Sequence, residues 1–207
     1  MAEAVLVTVL RHGEVAGPGH VFRGHVDTPL SEHGRIQMHA VLSELARPDR
    51  VATSPLSRCR DVAAGYAGHH AVPLDVEPGF MELGFGEWEE LPAEAVMARS
   101  PEAFAALRRG DDAAGAPGGE TLGDFRRRVR AAWSGWLAGA DGGHRLLVTH
   151  AGVMRVLLEH LLDLSAGGFY RIALPEAAHF QVSILPGHDP VLLRLNACAD
   201  SGSPWAS

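Results

Sequence analysis

The order of apolar runs and amphipathic stretches predicts an α/β chain: a three-layer α/β/α sandwich, with a mostly parallel central sheet and helices on both faces. Two observations predict it. Short β-branched runs alternate with helical periodicities for most of the 207 residues, the pattern of strand–helix–strand units. Two of those runs also end in histidine-bearing loops, Arg11-His12-Gly13 and Thr149-His150-Ala151-Gly152. Open α/β sheets form their ligand crevices there, outside the carboxyl ends of strands.

The elements follow in order. Val5 to Leu10 alternates β-branched with small residues and reads as a buried strand. Ser31 to Leu45 reads as a helix, Ser31 its N-cap and Met38, Val41, Leu42 and Leu45 its apolar face. Arg50 to Thr53 is a second strand, stopped by Ser54-Pro55, and a helix runs from about Leu56 to His69. Val72 to Val76 is a third strand, turned away by Glu77-Pro78-Gly79. Short helices over 93–97 and 101–109 and a loop over 111–119 come next. Thr121 caps a long helix with Phe125, Val129, Trp133, Trp136 and Leu137 on a core stripe. Arg126-Arg127-Arg128 is expected on its solvated face, and Glu120 as a dipole partner of its first turn. Arg145 to Thr149 and Val153 to Leu164 supply one more strand and helix, and Phe180 to Leu185 and Val191 to Leu195 close the sheet. The expected organisation is a single domain over 1–200, with 80–119 a lid-like insertion and 201–207 a flexible tail.

Composition excludes several classes. The net charge of −7 gives nucleic-acid binding no support. The longest apolar stretch, 146–164, is broken by His150, Arg155, Glu159 and His160, so no membrane association is expected. Met1 to Leu10 lacks a basic n-region and reads as a strand rather than a signal peptide. Cys59 and Cys198 form no CxxC, which fits a reducing cytoplasm. All basic side chains are arginine. A Walker A loop and lysine Schiff-base chemistry are therefore out, and no GxSxG, HExxH or GxGxxG occurs. His20, His25, His33, His39, His69 and His70 show no ligand spacing, so neither a metal nor a cofactor is expected.

Four segments fall at strand ends or helix starts: Arg11-His12, Ser54-Pro55-Leu56-Ser57-Arg58, Glu82 in MELGFGEWE, and His150. Histidines, arginines and a carboxylate suit phosphoryl transfer without metal. An imidazole attacks phosphorus, guanidiniums neutralise the equatorial oxygens, and a carboxylic acid protonates the leaving alkoxide. His150 precedes a helix N-terminus, whose amides, beginning at Ala151, add donors for an anion.

In this order the motifs resemble the histidine phosphatase superfamily, branch 1, which also contains the cofactor-dependent phosphoglycerate mutases. The likeness is colinear from Leu10 to Leu162. It takes in the RHG triplet, Phe22-Arg23-Gly24, Asp27-Thr28-Pro29-Leu30-Ser31, Gly34, SPLSR, GFGEWE, Gly118-Gly119-Glu120-Thr121 and THAGV. The resemblance implies a phosphoglycerate mutase-like fold with His12 as the nucleophile that becomes phosphohistidine. Arg11, Arg58 and His150 would surround the phosphoryl group, and Glu82 would be the proton donor and later the base for water. Glu87 and Glu89 compete with Glu82 as the proton donor, and the choice of Glu82 rests on the family. Arg23, Gly24 and Ala151 complete the implied substrate-binding set.

The chain departs from the pattern where Val15-Ala16-Gly17-Pro18-Gly19 lacks an Asn that many relatives use on phosphate, and where Glu90 replaces a frequent Gly. The first departure resembles α-ribazole phosphatase-type members. The expected activity is metal-independent hydrolysis of a small phosphorylated metabolite, α-ribazole 5′-phosphate among the candidates, releasing inorganic phosphate, by a monomer or homodimer. The alternatives are a phosphoglycerate mutase and a catalytically silent phospho-ligand binding module. Leu83-Gly84-Phe85-Gly86 resembles the phosphatases rather than the Arg-His-Tyr-Gly of mutases.

Overall fold

Strand β1 (Val5–Arg11) is β-branched and apolar at alternate positions, and it is paired with another strand along each of its two edges. The structure, a computed structural model, describes residues 3–196 apart from 139, 141–142, 166 and 168–169. Cys198 and the expected tail over 201–207 lie outside the described residues. After β1 come α1 (Glu32–Glu44), β2 (Arg50–Thr53), α2 (Ser57–His70) and β3 (Leu74–Val76). Then follow α3 (Ala93–Arg99), α4 (Pro101–Arg109), α5 (Leu122–Leu137), β4 (His144–Thr149), α6 (Ala151–Leu161), β5 (His179–Ile184) and β6 (Val191–Asn196).

The sheet order is β3-β2-β4-β1-β5-β6. The first four strands are parallel, while β5 runs antiparallel to both β1 and β6. Strand alternation splits the core in two. Val5, Val7, Val9 and Leu147 pack with Phe125, Val129, Trp133, Met154 and Leu157 of α5 and α6. Leu10, Leu146 and Val148 pack with Met38, Leu42, Val62 and Ala63 of α1 and α2. That is the expected three-layer α/β/α sandwich.

The helices following the adjacent strands β1 and β4 thus lie on opposite faces, which makes the β1/β4 boundary a topological switch point. Arg11 is in register with Thr149, so the loops carrying His12 and His150 leave the sheet side by side.

Local signals act as read in α1 and α5. Ser31 Oγ accepts from the Gly34 amide at 3.0 Å and Thr121 Oγ1 from the Asp124 amide at 3.1 Å. β3 begins at Leu74 instead of Val72, whose amide is taken by the Ala67 carbonyl in the C-cap of α2. α6 begins at Ala151 rather than Val153 and ends at Leu161.

The arginine run of α5 is a correction. Arg127 is exposed, but Arg126 is buried against Glu159 and Asp112, with 3.1 Å to the former. Arg128 is half-buried and donates to the carbonyls of Gly79, Met81 and Glu82. Glu120 is likewise no free dipole partner, since both of its oxygens accept from Arg128, at 2.7 and 2.8 Å. The long arginine stems let the run reach past the helix surface to acids and carbonyls on other segments.

Candidate active site

At the carboxyl ends of β1 and β4 a cavity of about 550 Å³ opens. Its wall includes Arg11, His12, Arg23, Arg58, Glu82 and Arg155. The loop that carries His12 is seated by backbone proximity. A Cβ on Gly13 would lie 2.3 Å from the Gly34 carbonyl oxygen, so only glycine lets the RHG loop touch the start of α1.

His12 Nδ1 is 2.8 Å from the Gly13 carbonyl, which can only accept, so Nδ1 carries the proton. Burial, then the charges of Arg11 and Arg58, hold its pKa well below the ordinary histidine value. The ring is therefore neutral, and Nε2 holds a free lone pair at the cavity wall.

His150 is fully buried and stands behind His12, the ring centroids 5.2 Å apart, and it does not line the cavity. Its Nδ1 accepts from Arg58 Nε at 3.4 Å, which leaves the Nε2 proton for Ser54 Oγ at 2.8 Å. Burial and then Arg58 keep it, too, well below the ordinary value. Arg58 is 1% exposed and donates to the Gly24 and Val26 carbonyls at 2.7 and 2.8 Å. It does not pair with Asp61, whose partner is Arg60. Arg11 donates to the Leu174 carbonyl at 2.6 Å.

Glu82 is buried to 8% exposure, and its carboxylate sits on two amides, Leu83 N–H at 2.9 Å and Gly152 N–H at 3.0 Å. Its carbonyl is fixed by Arg128 at 2.8 Å and by His25 Nε2 at 3.0 Å. The competitors are placed elsewhere. Glu89 accepts from the amides of Gly24, His25 and Phe85, and Glu87 is exposed and outside the cavity wall.

Gly24 and Ala151 do not line the cavity either. A Cβ on Gly24 would meet the Leu83 carbonyl at 2.1 Å, so this glycine joins its loop to the acid segment and offers its own carbonyl to Arg58. Arg23 does line the cavity. It pairs with Glu90 at 3.0 Å and donates to the Pro18 carbonyl. Glu90 holds this contact with φ +62°, a backbone region more natural to glycine.

Gly152 and Arg155 line the wall, as do Tyr170 and Glu176, and the sequence reading gave none of them a role. A Cβ on Gly152 would lie 2.1 Å from Glu82 Oε1; the signal was a glycine in the first turn of a helix. Arg155 was counted only as a break in an apolar run. Among the described residues, no group of three His, Cys, Asp or Glu is placed to hold a metal ion, and no helix is long and apolar enough to cross a membrane.

The histidine phosphatase superfamily (branch 1) matches the chain over residues 7–197. The bifunctional protein Rv2228c of Mycobacterium tuberculosis is 32% identical over 174 residues, 82% of this chain and 48% of that protein. The chain thus spans about half the length of the first curated relatives it matches. The adenosylcobalamin/α-ribazole phosphatase of Salmonella typhimurium is 31% identical over 183 residues, 86% of this chain and 90% of that one. Among solved structures, the mycobacterial glucosyl-3-phosphoglycerate phosphatase superposes with a TM-score of 0.76 at 29% identity, covering 87% of this chain and 91% of that one.

Proposed function

This chain belongs to the histidine phosphatase superfamily (branch 1), and on that premise we propose that it hydrolyses phosphomonoesters through a phosphohistidine, without metal. The observation that carries the reading is the fixed tautomer of His12: neutral, Nδ1–H held by the Gly13 carbonyl, Nε2 at a wall shared with arginines and one buried carboxyl group.

The chemistry follows from those groups. His12 Nε2 attacks phosphorus and displaces the alkoxide in line. The positive charge that develops on the imidazole is shared with the Gly13 carbonyl through Nδ1–H. Arg11 and Arg58 offset the equatorial oxygens, as a cation would. The Glu82 carboxyl group gives its proton to the leaving oxygen. In the second half, Glu82 takes a proton from water, whose oxygen attacks the phosphohistidine, and inorganic phosphate and free His12 return.

His150 acts on this cycle from behind. Its neutral ring packs against that of His12 and bonds Arg58, so it orients both. Residues 80–119 serve as a lid-like insertion that supplies Glu82, Leu83 and Phe85 to the wall. The substrate is a small phosphorylated metabolite, with α-ribazole 5′-phosphate a candidate from the named activity of the Salmonella relative.

The test is a quench experiment with labelled phosphomonoester. Acid-labile, base-stable phosphate should be trapped on the wild-type chain and not on His12→Ala, whose turnover should vanish. Label on another residue, or turnover that EDTA abolishes and a divalent cation restores, would overturn this reading.

A further inference from the structure

Part of the cavity wall is aromatic, and the chemistry just described does not use it. Phe22, Phe85, Phe125 and Tyr170 line the cavity beside the reacting groups. A phosphoryl group needs none of these rings, because cations and N–H donors hold it. Two of them are built as a fixed platform. The rings of Phe22 and Phe85 are tilted against each other with centroids 4.8 Å apart, and Trp88 and Phe104 back Phe22 at 6.0 and 6.3 Å without reaching the cavity. The backbone beneath is pinned as well. Phe22 N–H donates to the Leu91 carbonyl at 2.9 Å, and its carbonyl accepts from the Glu90 amide at 2.8 Å. Phe85 N–H donates to Glu89 Oε1 at 3.1 Å, and its carbonyl accepts from the Trp88 amide at 2.8 Å. Packing accounts for Trp88, which is 2% exposed. Phe22 and Phe85 are only half-buried and present apolar surface to the cavity, which is unfavourable against water.

The rings belong to one half of the site. The cations acting on His12 are Arg11, Arg58 and Arg23. Phe85 follows Glu82 on the same loop by three residues. Phe125 Cζ and Glu82 Oε1 crowd the same point, since a Cβ on Gly152 would meet them at 3.2 and 2.1 Å. Glu82 serves the leaving oxygen, hence the alcohol half of the ester meets rings where the phosphoryl half meets cations. A cavity of about 550 Å³ has room for a ring besides the phosphate.

We propose that Phe22 and Phe85 are specificity-determining residues that select phosphomonoesters whose alcohol carries a planar apolar ring, aromatic or heteroaromatic, a short spacer away from the ester oxygen. Such a ring covers the exposed platform and stacks on it offset or edge to face. Because the platform is already ordered, little side-chain freedom is lost on binding. Phosphates of small, charged or heavily hydroxylated alcohols fall on the weak side. This inference deepens, and rests on, the phosphohydrolase reading of His12 and Glu82.

The experiment compares kcat/KM for ω-phenylalkyl, ω-cyclohexylalkyl and ω-hydroxyalkyl phosphates over a series of spacer lengths. The alkoxides are alike, so the demand on Glu82 is the same and the ring is the variable. At the best spacer the wild type should favour the phenyl over the hydroxyl member by about tenfold or more, the scale of burying an aromatic ring, and should favour phenyl over cyclohexyl severalfold. Phe22→Leu and Phe85→Leu should bring the phenyl-to-cyclohexyl ratio to about one, because leucine keeps the apolar surface and removes the stacking partner. Equal rates for phenyl and hydroxyl members at every length, equal rates for phenyl and cyclohexyl in the wild type, or an undiminished ratio in both leucine variants would overturn the assignment. A chain that neither turns over p-nitrophenyl phosphate nor forms phosphohistidine would sink the hydrolase reading instead. Calorimetric binding of the matching phenylalkyl, cyclohexylalkyl and hydroxyalkyl phosphonates to the wild type needs no turnover and no variant. The same order of affinities would support the aromatic platform, and equal affinities would overturn it.

Discussion

Replacing Gly152 by alanine should separate catalysis from stability. The added Cβ would lie 2.1 Å from Glu82 Oε1, 3.0 Å from its carboxyl carbon and 3.2 Å from Phe125 Cζ. An ordinary C···O contact is about 3.3 Å, so the carboxylate must retreat by about 1 Å, and the cavity it borders gives it room. That move breaks the 3.0 Å bond from the Gly152 amide, worth about 1.5–3 kcal/mol for a charged acceptor. Alanine returns about 1 kcal/mol as the better helix former. The net loss is about 0.5–2 kcal/mol, at about 2–4 °C of Tm per kcal/mol for a chain of this size. Activity should suffer far more. A misplacement of about 1 Å commonly costs about a hundredfold, and it falls on the proton donor. Steady-state kinetics on an alkyl phosphate and on p-nitrophenyl phosphate, with a melting curve, check this. The alkyl phosphate should lose about a hundredfold in kcat/KM and the nitrophenyl ester much less, because nitrophenolate leaves without a proton. Wild-type rates on the alkyl ester in a folded Gly152→Ala protein would refute the role given to the Glu82 anchorage.

Glu82→Gln should show the same leaving-group dependence without displacement; equal losses on both esters would make Glu82 structural. Arg23→Ala should raise KM for phosphomonoesters and weaken inhibition by phosphate or vanadate by about ten- to a hundredfold, the scale of a charge-assisted contact. Glu90→Gly should do the reverse, since it frees Arg23 and relieves the φ of +62°; unchanged inhibition in both variants would place Arg23 outside the phosphate site. The histidines set a pH dependence of stability. His12 and His150 titrate well below their unfolded value near 6.5, so above that value neither state gains a proton and stability is flat. As pH falls below it, the unfolded chain takes up protons that the folded chain refuses, and stability drops by up to about 1.4 kcal/mol per pH unit per histidine. Urea unfolding of wild type and His12→Asn across this range should show a shallower slope in the variant, and identical slopes would contradict a neutral, buried His12.

The sequence by itself determined the layers and the caps of α1 and α5, and it singled out the candidate site residues. Alternation of strand and helix patterns reports which side of each element is apolar, and that is a local property. Ser31 and Thr121 were legible as caps because their partners lie within three residues. His12, Arg58 and His150 stood out because each follows a strand or opens a helix, where a parallel sheet must gather them. Only the tertiary structure decided how the polar groups are paired. Arg126 and Arg128 looked like a solvated run, yet Glu159 and the carbonyls before Glu82 close on them from segments far along the chain. Glu82, Glu87 and Glu89 were equivalent as letters. One rests on the amides of Leu83 and Gly152, one is exposed, and one is consumed by the loop of Gly24. Arg155 is the extreme case, because a charge on an apolar helix reads as an interruption until the structure shows that its guanidinium lines the cavity with no ion-pair partner among the described residues. Periodicity encodes burial, whereas the satisfaction of a buried charge depends on which distant segment arrives beside it.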